Sequence, residues 1–183
     1  KQSEEEVQRL QEKLDRRRKT VKKLKQENRN IEKELNKKLK EGDVRRKNES
    51  VYVSLESQIL FGVGNVHVTQ DIQSELKKIA QTLKDYSDRE IHVEGHTDDL
   101  PLQGELKEKY GSNWELSAQR AINVLKYLVY SQGVSRERIG AVAYGQFRPR
   151  VPNTSDENRR KNRRVEIVLL PSEVPEETRN LVP

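Results

Sequence analysis

The sequence contains no cysteine and no methionine among its 183 residues, and only 5% of its residues are aromatic. The absence of cysteine excludes disulfide bonds and thiolate metal ligands. No apolar run approaches the roughly 20 residues that a membrane-spanning helix needs, and no signal-peptide pattern is present. Because the chain begins at Lys1, we expect it to be a mature or trimmed form whose membrane anchor lies upstream.

The charges that are present are unevenly distributed. Residues 1–48 hold 18 Lys and Arg against 10 Asp and Glu, whereas residues 49–183 hold 18 against 20. The whole basic excess therefore belongs to the first quarter of the chain. Aromatic residues do not interleave with these basic side chains, and the rest of the chain is near neutral. We therefore expect no nucleic-acid partner.

Apolar residues recur in heptads through the first segment, which lacks glycine and proline from residue 3 to about residue 40. One core position holds Val7, Leu14, Val21, Asn28 and Leu35, and the other holds Leu10, Arg17, Leu24, Ile31 and Lys38. This pattern predicts a helical coiled coil over residues 1–41, with a buried Asn28 that fixes the register of a parallel homodimer. The alternative is a single solvated helix.

The remainder of the chain predicts an α+β domain. Residues 42–50 are predicted as a polar linker, residues 51–170 as the domain, and residues 171–183 as a disordered tail. Apolar alternation predicts strands at 51–61, 90–97, 139–144 and 165–169, and helical periodicity predicts helices at 72–86 and 114–131. This order predicts a mixed β-sheet with helices packed on it.

One acidic and one basic residue are candidates for a common ligand site. Asp98 follows the predicted strand, and Arg120 lies outside the apolar stripe of the helix that begins near residue 114. A carboxylate binds an amine, and a guanidinium binds a carboxylate through two parallel hydrogen bonds. The pair therefore suits a zwitterion. The alternative is a plain surface ion pair.

Three strings carry a family resemblance: IHVEGHTDD at 91–99, NWELSAQRA at 113–121 and KNRRVEI at 161–167. They resemble the OmpA-like peptidoglycan-binding domain over roughly residues 52–170. The Asn-Trp-Glu-Leu-Ser form looks most like the MotB branch, the wall anchor of the flagellar stator. The resemblance implies an OmpA-C-like fold and non-catalytic, periplasmic binding of the diaminopimelate-containing stem peptide of peptidoglycan. Asp98 and Arg120 would carry the charges, with Thr97, Leu116, Asn162 and Arg163 lining the pocket.

Motor-anchor members of that branch carry an N-terminal membrane helix, which this sequence lacks. We therefore expect either a membrane partner or an anchor outside this sequence. A rival interpretation is a coiled-coil dimeric scaffold whose head binds a protein rather than the wall.

We expect no cofactor and no metal. His92, Glu94 and His96 share one strand face near Asp98, but their spacing differs from the helical His-Glu-x-x-His pattern. Trp114 is interpreted as a core or capping residue.

Overall fold

A helix of 37 residues, α1 (Gln2–Lys38), opens the chain. The structure, a computed structural model, describes residues 2–172. The tail predicted to be disordered therefore falls almost entirely outside the described residues. Among the helices of residues 2–172, none combines the length and apolar character that a membrane crossing requires.

A five-stranded mixed sheet forms the centre of the domain. Its strands are β1 (Asp43–Lys47), β2 (Ser50–Glu56), β3 (Ile91–His96), β4 (Ile139–Gly145) and β5 (Arg164–Leu169). They lie in the order β1-β2-β5-β3-β4, and only the β3–β4 pair is parallel. The predicted α+β class is confirmed.

Besides α1, the domain contains further helices. They are α2 (Ser57–Phe61), α3 (Gln73–Asp85), α4 (Gly104–Tyr110), α5 (Asn113–Lys126) and α6 (Asp156–Asn162). Of these, α5 packs directly against β3 and β4. A π-helical turn at Tyr127–Ser131 extends α5, and a 3₁₀ turn at Arg136–Arg138 precedes β4. The core joins alternate residues of β2, β3 and β5 to the apolar faces of α3 and α5.

The approach of α5 to β3 is unusually close at Gly95. A Cβ atom placed on Gly95 would lie 2.0 Å from the backbone oxygen of Ser117 in α5. Only glycine fits there without moving the helix. This contact fixes the height of α5 above the strand, and therefore the position of the side chains that α5 carries.

The prediction of one strand over residues 51–61 was wrong beyond Glu56. Residues 57–61 form the short helix α2, in which Ser57, Leu60 and Phe61 are buried. These buried positions are spaced i, i+3 and i+4, as on one face of a helix. Ile59 was assigned to the strand face, but it is only partly buried.

The predicted linker at 42–50 was also wrong. Asp43–Lys47 pairs with β2 as an edge strand, and Asn48 and Glu49 form the two-residue turn between them, both with positive φ. Such turns match the twist of a β-hairpin. The segment is polar because it lies at the edge of the sheet, where charged side chains discourage pairing with other chains. Val44 alone faces the core.

The predicted N-terminal helix is confirmed, but its two halves differ in environment. Val7, Leu10 and Leu14 are about half exposed, whereas Leu24, Ile31 and Leu35 are buried against the domain. Asn28 also faces the domain: it accepts a hydrogen bond from Arg89 Nη1 at 2.6 Å and donates to the Glu49 oxygen at 2.7 Å. The buried asparagine therefore joins α1 to its own domain, where we expected it to face a second helix.

Candidate functional site

Asp98 lies in the loop that leaves β3. The Thr97 amide donates to the Gly145 oxygen at 2.8 Å, which extends the pairing of β3 with β4 by one residue. Thr97 Oγ1 donates to the backbone oxygen of Asp98 at 2.9 Å. The carboxylate oxygen Oδ1 of Asp98 accepts from the Leu100 amide at 3.1 Å. Thr97 and Asp98 are both buried. The carboxylate is therefore held rigidly within its own loop.

The direct ionic partner of Asp98 is Arg163. Asp98 Oδ2 lies 2.5 Å from Arg163 Nη1, and the Arg163 side chain is 37% exposed. Arg163 is the residue at which α6 ends. Its reach across to the β3 loop joins two segments that are 65 residues apart in the chain. Two of the predicted site residues are thus in contact.

Arg120 lies near this pair but does not touch Asp98. It is 6% exposed, and its Nε and Nη2 donate to the Asn65 oxygen at 3.3 and 3.2 Å. Burial, followed by the positive charge of Arg163, lowers the pKa of Arg120 to about 10, and the negative charge of Asp98 opposes that change. The three charges are therefore within electrostatic range of one another.

No carboxylate neutralises Arg120 among residues 2–172. Its guanidinium carbon lies 5.4 Å from the centre of the Phe61 ring, and its hydrogen bonds go to a neutral carbonyl. Leu116, one helical turn before Arg120 on α5, is also buried, with 3% of its surface exposed. A buried cation without an acidic partner is costly to the fold, which favours a role in binding an anionic group.

Asn162 is fully buried, and its side-chain amide is saturated. Oδ1 accepts from the amides of Arg150 and Val151 at 2.8 and 3.1 Å. Nδ2 donates to the Val151 oxygen at 2.8 Å and to Asn153 Oδ1 at 2.7 Å. A primary amide has two donor hydrogens and two acceptor positions, so none remains. The contacts of Asn162 hold the 150–153 loop against α6.

Sequence reasoning missed Asn113, which ties the site loops together. Its Nδ2 donates to the Leu100 oxygen and to Gln146 Oε1, each at 3.0 Å. Asn113 thereby connects the Asp98 loop, the start of α5 and the exit of β4. The signals in the sequence were its place at the head of the NWELSAQRA string and its position next to Ser112, whose hydroxyl caps α5 by accepting from the Trp114 amide.

Trp114, interpreted from the sequence as a core or capping residue, is not a core residue. It is 47% exposed and stacks on Phe147, which is 63% exposed, with ring centres 5.2 Å apart. Leu100 is also about half exposed. The rings protrude because Asn113, rather than its neighbour Trp114, is the buried residue at the start of α5.

The grouping of His92, Glu94 and His96 with Asp98 is only partly present. Glu94 and His96 lie close to Glu166 of β5, and His92 is not part of that cluster. Asp98 is engaged with Arg163 instead. Arg159, one helical turn before Arg163, forms an ion pair with Asp99 at 3.1 Å, and this contact raises the pKa of Arg159.

Comparison with known proteins places these features in context. The sequence model of the OmpA family matches residues 60–163. Motility protein B of Bacillus subtilis is 31% identical over 123 residues, which cover 67% of this chain and 46% of that protein. The chain spans about half the length of the curated relatives it matches.

Solved structures that resemble this chain include MotB-like proteins and a cell wall anchor. A MotB-like protein of Desulfovibrio vulgaris superimposes with a TM-score of 0.74 at 27% identity, covering 85% of this chain and 98% of that one. The periplasmic domain of Helicobacter pylori MotB gives 0.62 at 33% identity, covering 71% and 82%. The cell wall anchor of the T6SS from Pseudomonas aeruginosa gives 0.68 at 29% identity, covering 77% and 96%.

Proposed function

Because this chain belongs to the OmpA family, we propose that it binds peptidoglycan non-covalently, without catalysis, and anchors a membrane-associated complex to the cell wall. The observation that carries the proposal is the charge cluster of buried Arg120 and Asp98 with half-buried Arg163, in which Arg120 has no acidic partner within residues 2–172. The family match and the likeness to a T6SS cell wall anchor support the wall as the target. The likeness to a MotB periplasmic domain supports a periplasmic location.

Diaminopimelate in the stem peptide is the ligand that best fits these charges. Its side chain ends in one carbon that carries both an amine and a carboxylate. The amine binds to Asp98, and the carboxylate binds to Arg120 and neutralises that buried cation. A hydrogen bond to a charged group contributes about 1.5–3 kcal/mol. Two such contacts give modest affinity for one stem peptide.

The other predicted site residues take different roles. Thr97 holds the loop that presents Asp98, and Leu116 supplies an apolar surface beside Arg120. Arg163 holds the Asp98 carboxylate in place, and it shifts toward the ligand carboxylate when the ligand amine displaces it. Asn162 acts indirectly, because all four of its hydrogen-bonding positions are used within the fold.

Dimerisation through the exposed first half of α1 compensates for weak single contacts. Val7, Leu10 and Leu14 lie on one heptad face and are 47–58% exposed. A parallel pair of α1 helices buries them and presents two domains to the polymeric wall, so that the second contact becomes intramolecular. A membrane partner, or an anchor outside this sequence, connects the pair to the envelope.

A sacculus pull-down tests this function. Asp98→Ala and Arg120→Ala abolish retention on purified diaminopimelate-type sacculi, and free diaminopimelate competes with the unmodified protein. Arg136→Ala, at an exposed arginine on the same chain, is retained and controls for loss of charge. Circular dichroism establishes that each variant is folded. Retention of both site variants at the level of the unmodified protein would contradict the assignment.

The exposed stacked pair of Trp114 and Phe147 favours a second candidate function, a dimeric scaffold whose head binds a protein. Contiguous exposed apolar side chains commonly mark protein interaction sites. This alternative predicts that the domain does not bind sacculi. It also predicts that Trp114→Ser, rather than Arg120→Ala, abolishes binding to the protein partner.

A further inference from the structure

A second polar cluster lies on the sheet face opposite the helices. Val93 and Gly95 of β3 face α5 and the core, so Glu94 and His96 point to the other face. Glu166 of β5 lies directly opposite Glu94 in the antiparallel register. Two carboxylates directly opposite each other repel unless positive charge lies between or beside them. All three side chains are buried, and none contributes to the Asp98 site.

His96 is the unusual member of this cluster. It is 2% exposed, and neither of its ring nitrogens has a hydrogen-bond partner among the described residues. Its ring stacks on Tyr144, with centres 5.3 Å apart, so its orientation is fixed. A buried polar atom without a partner costs about 1–3 kcal/mol. The imidazole ring is therefore held in place by packing, while its nitrogens make no hydrogen bond to the described residues.

Two carboxylate oxygens converge on one of these nitrogens. Nε2 of His96 lies 3.6 Å from Glu94 Oε2 and 3.8 Å from Glu166 Oε2, and both distances exceed those of hydrogen bonds. Ligand atoms about 2.1 Å from a tetrahedral zinc ion are separated from one another by about 3.4 Å. The two distances from Nε2 of His96 are thus within a few tenths of an ångström of the separation between ligands of a shared metal ion.

We propose that Glu94, His96 and Glu166 bind a divalent transition-metal ion, of which zinc is the representative. An imidazole nitrogen with two carboxylate oxygens suits zinc, whereas calcium and magnesium prefer oxygen ligands alone. The three ligand atoms all lie within 4.8 Å of one another.

The neighbouring arginines orient Glu166 and limit the affinity. Arg45 Nη2 and Arg164 Nε both donate to Oε1 of Glu166, at 2.7 and 3.1 Å, which leaves Oε2 for the metal. Such outer contacts position carboxylate ligands in metal sites. The two guanidinium charges offset the two carboxylates, so binding is weaker than at a site with an acidic surround.

A cleft of about 280 Å³ gives access to the cluster. Lys47, Arg148 and Arg150 line it together with the three ligands. The metal therefore keeps a fourth position for water or for an anion, which the surrounding positive charge favours. The site differs from structural zinc sites, in which protein side chains supply all four ligands.

Calorimetric titration of the chelator-stripped protein with zinc chloride tests the proposal. One zinc ion binds per chain, and magnesium does not compete. His96→Phe keeps the stacking on Tyr144 and removes the nitrogen ligands. It weakens zinc binding at least as much as the roughly 10- to 100-fold loss that changes in outer-shell residues cause. His92→Phe is the matched control, because His92 lies on the same strand face outside the cluster, and it retains the affinity of the unmodified protein.

If His96→Phe does not fold, Glu94→Gln is a second variant that tests whether this cluster binds zinc. Cobalt substitution supplies an independent readout, since cobalt bound to a mixed nitrogen and oxygen site has a visible absorption band that Glu94→Gln reduces. The absence of saturable zinc binding by the unmodified protein would overturn the proposal. Equal zinc affinity in the folded His96→Phe or Glu94→Gln variant would do so as well.

Discussion

Replacement of Arg120 by methionine should separate binding from stability. The lowering of the Arg120 pKa to about 10 means that the fold disfavours the charged guanidinium by about 3 kcal/mol relative to water. Methionine is a good helix former and removes that charge. It also removes the hydrogen bonds to the Asn65 oxygen, a loss of about 1 kcal/mol. We expect the free energy of unfolding at pH 7 to rise by about 1–2 kcal/mol while retention on sacculi is lost.

Urea unfolding and sacculus pull-down on the same preparations measure both effects. Arg136→Met, at an exposed arginine, should change neither the free energy of unfolding nor the retention on sacculi. The unfolded chain binds a proton at Arg120 up to a higher pH than the folded chain. The unmodified protein therefore gains stability as the pH rises above about 10, and the stability advantage of Arg120→Met narrows there. An Arg120→Met variant more than about 1 kcal/mol less stable than the unmodified protein would refute this reasoning.

Two further substitutions test how the site is held in place. Gly95→Ala forces a methyl group against the backbone of α5 and should lower the free energy of unfolding by at least about 1–3 kcal/mol. Gly140→Ala on the neighbouring strand meets nothing within 4 Å and should have little effect in the same urea titration. Asn28→Ala removes the acceptor of Nη1 of the fully buried Arg89, which keeps its hydrogen bonds to the backbone oxygens of Leu170 and Glu49, and we expect it to destabilise the domain by about 1–3 kcal/mol. Asn30→Ala, at an exposed asparagine of the same helix, should not destabilise the domain. Equal losses of unfolding free energy in the two variants would contradict the role of Asn28.

Much of the fold follows from local patterns in the sequence. Alternation around Val93 and helical spacing after Trp114 predicted β3 and α5, and the three motif strings predicted the family. These signals are local, because a strand or helix that packs on one face repeats its apolar residues with its own period. Placement of Asp98 at the end of a strand and of Arg120 on the next long helix followed from the same patterns.

The features that sequence reasoning missed depend on contacts between distant segments. Asn28 fits a coiled-coil position equally well whether it faces a second helix or Arg89, 61 residues away. The β1 edge strand resembles a linker because only Val44 reaches the core. Arg163 lies 65 residues from Asp98, and local spacing does not indicate which arginine contacts that carboxylate.

The metal cluster illustrates the same limit. Glu94 and His96 are neighbours on β3, and their alternation places them on one face. Glu166 joins them only through the pairing of β3 with β5, which no local pattern specifies. The sequence therefore suggested His92 as the third member, although the strand carries His92 away from the converging oxygens.

A comparison of two stem peptides tests the central account most directly. One peptide contains diaminopimelate, and the other contains lysine, which keeps the side-chain amine but lacks the carboxylate. Calorimetry should show that the unmodified protein prefers the first peptide by about 10- to 150-fold, the equivalent of one charged hydrogen bond of about 1.5–3 kcal/mol. Arg120→Met should bind both peptides equally weakly. An unchanged preference in Arg120→Met would show that Arg120 does not bind the carboxylate, and the account would be wrong.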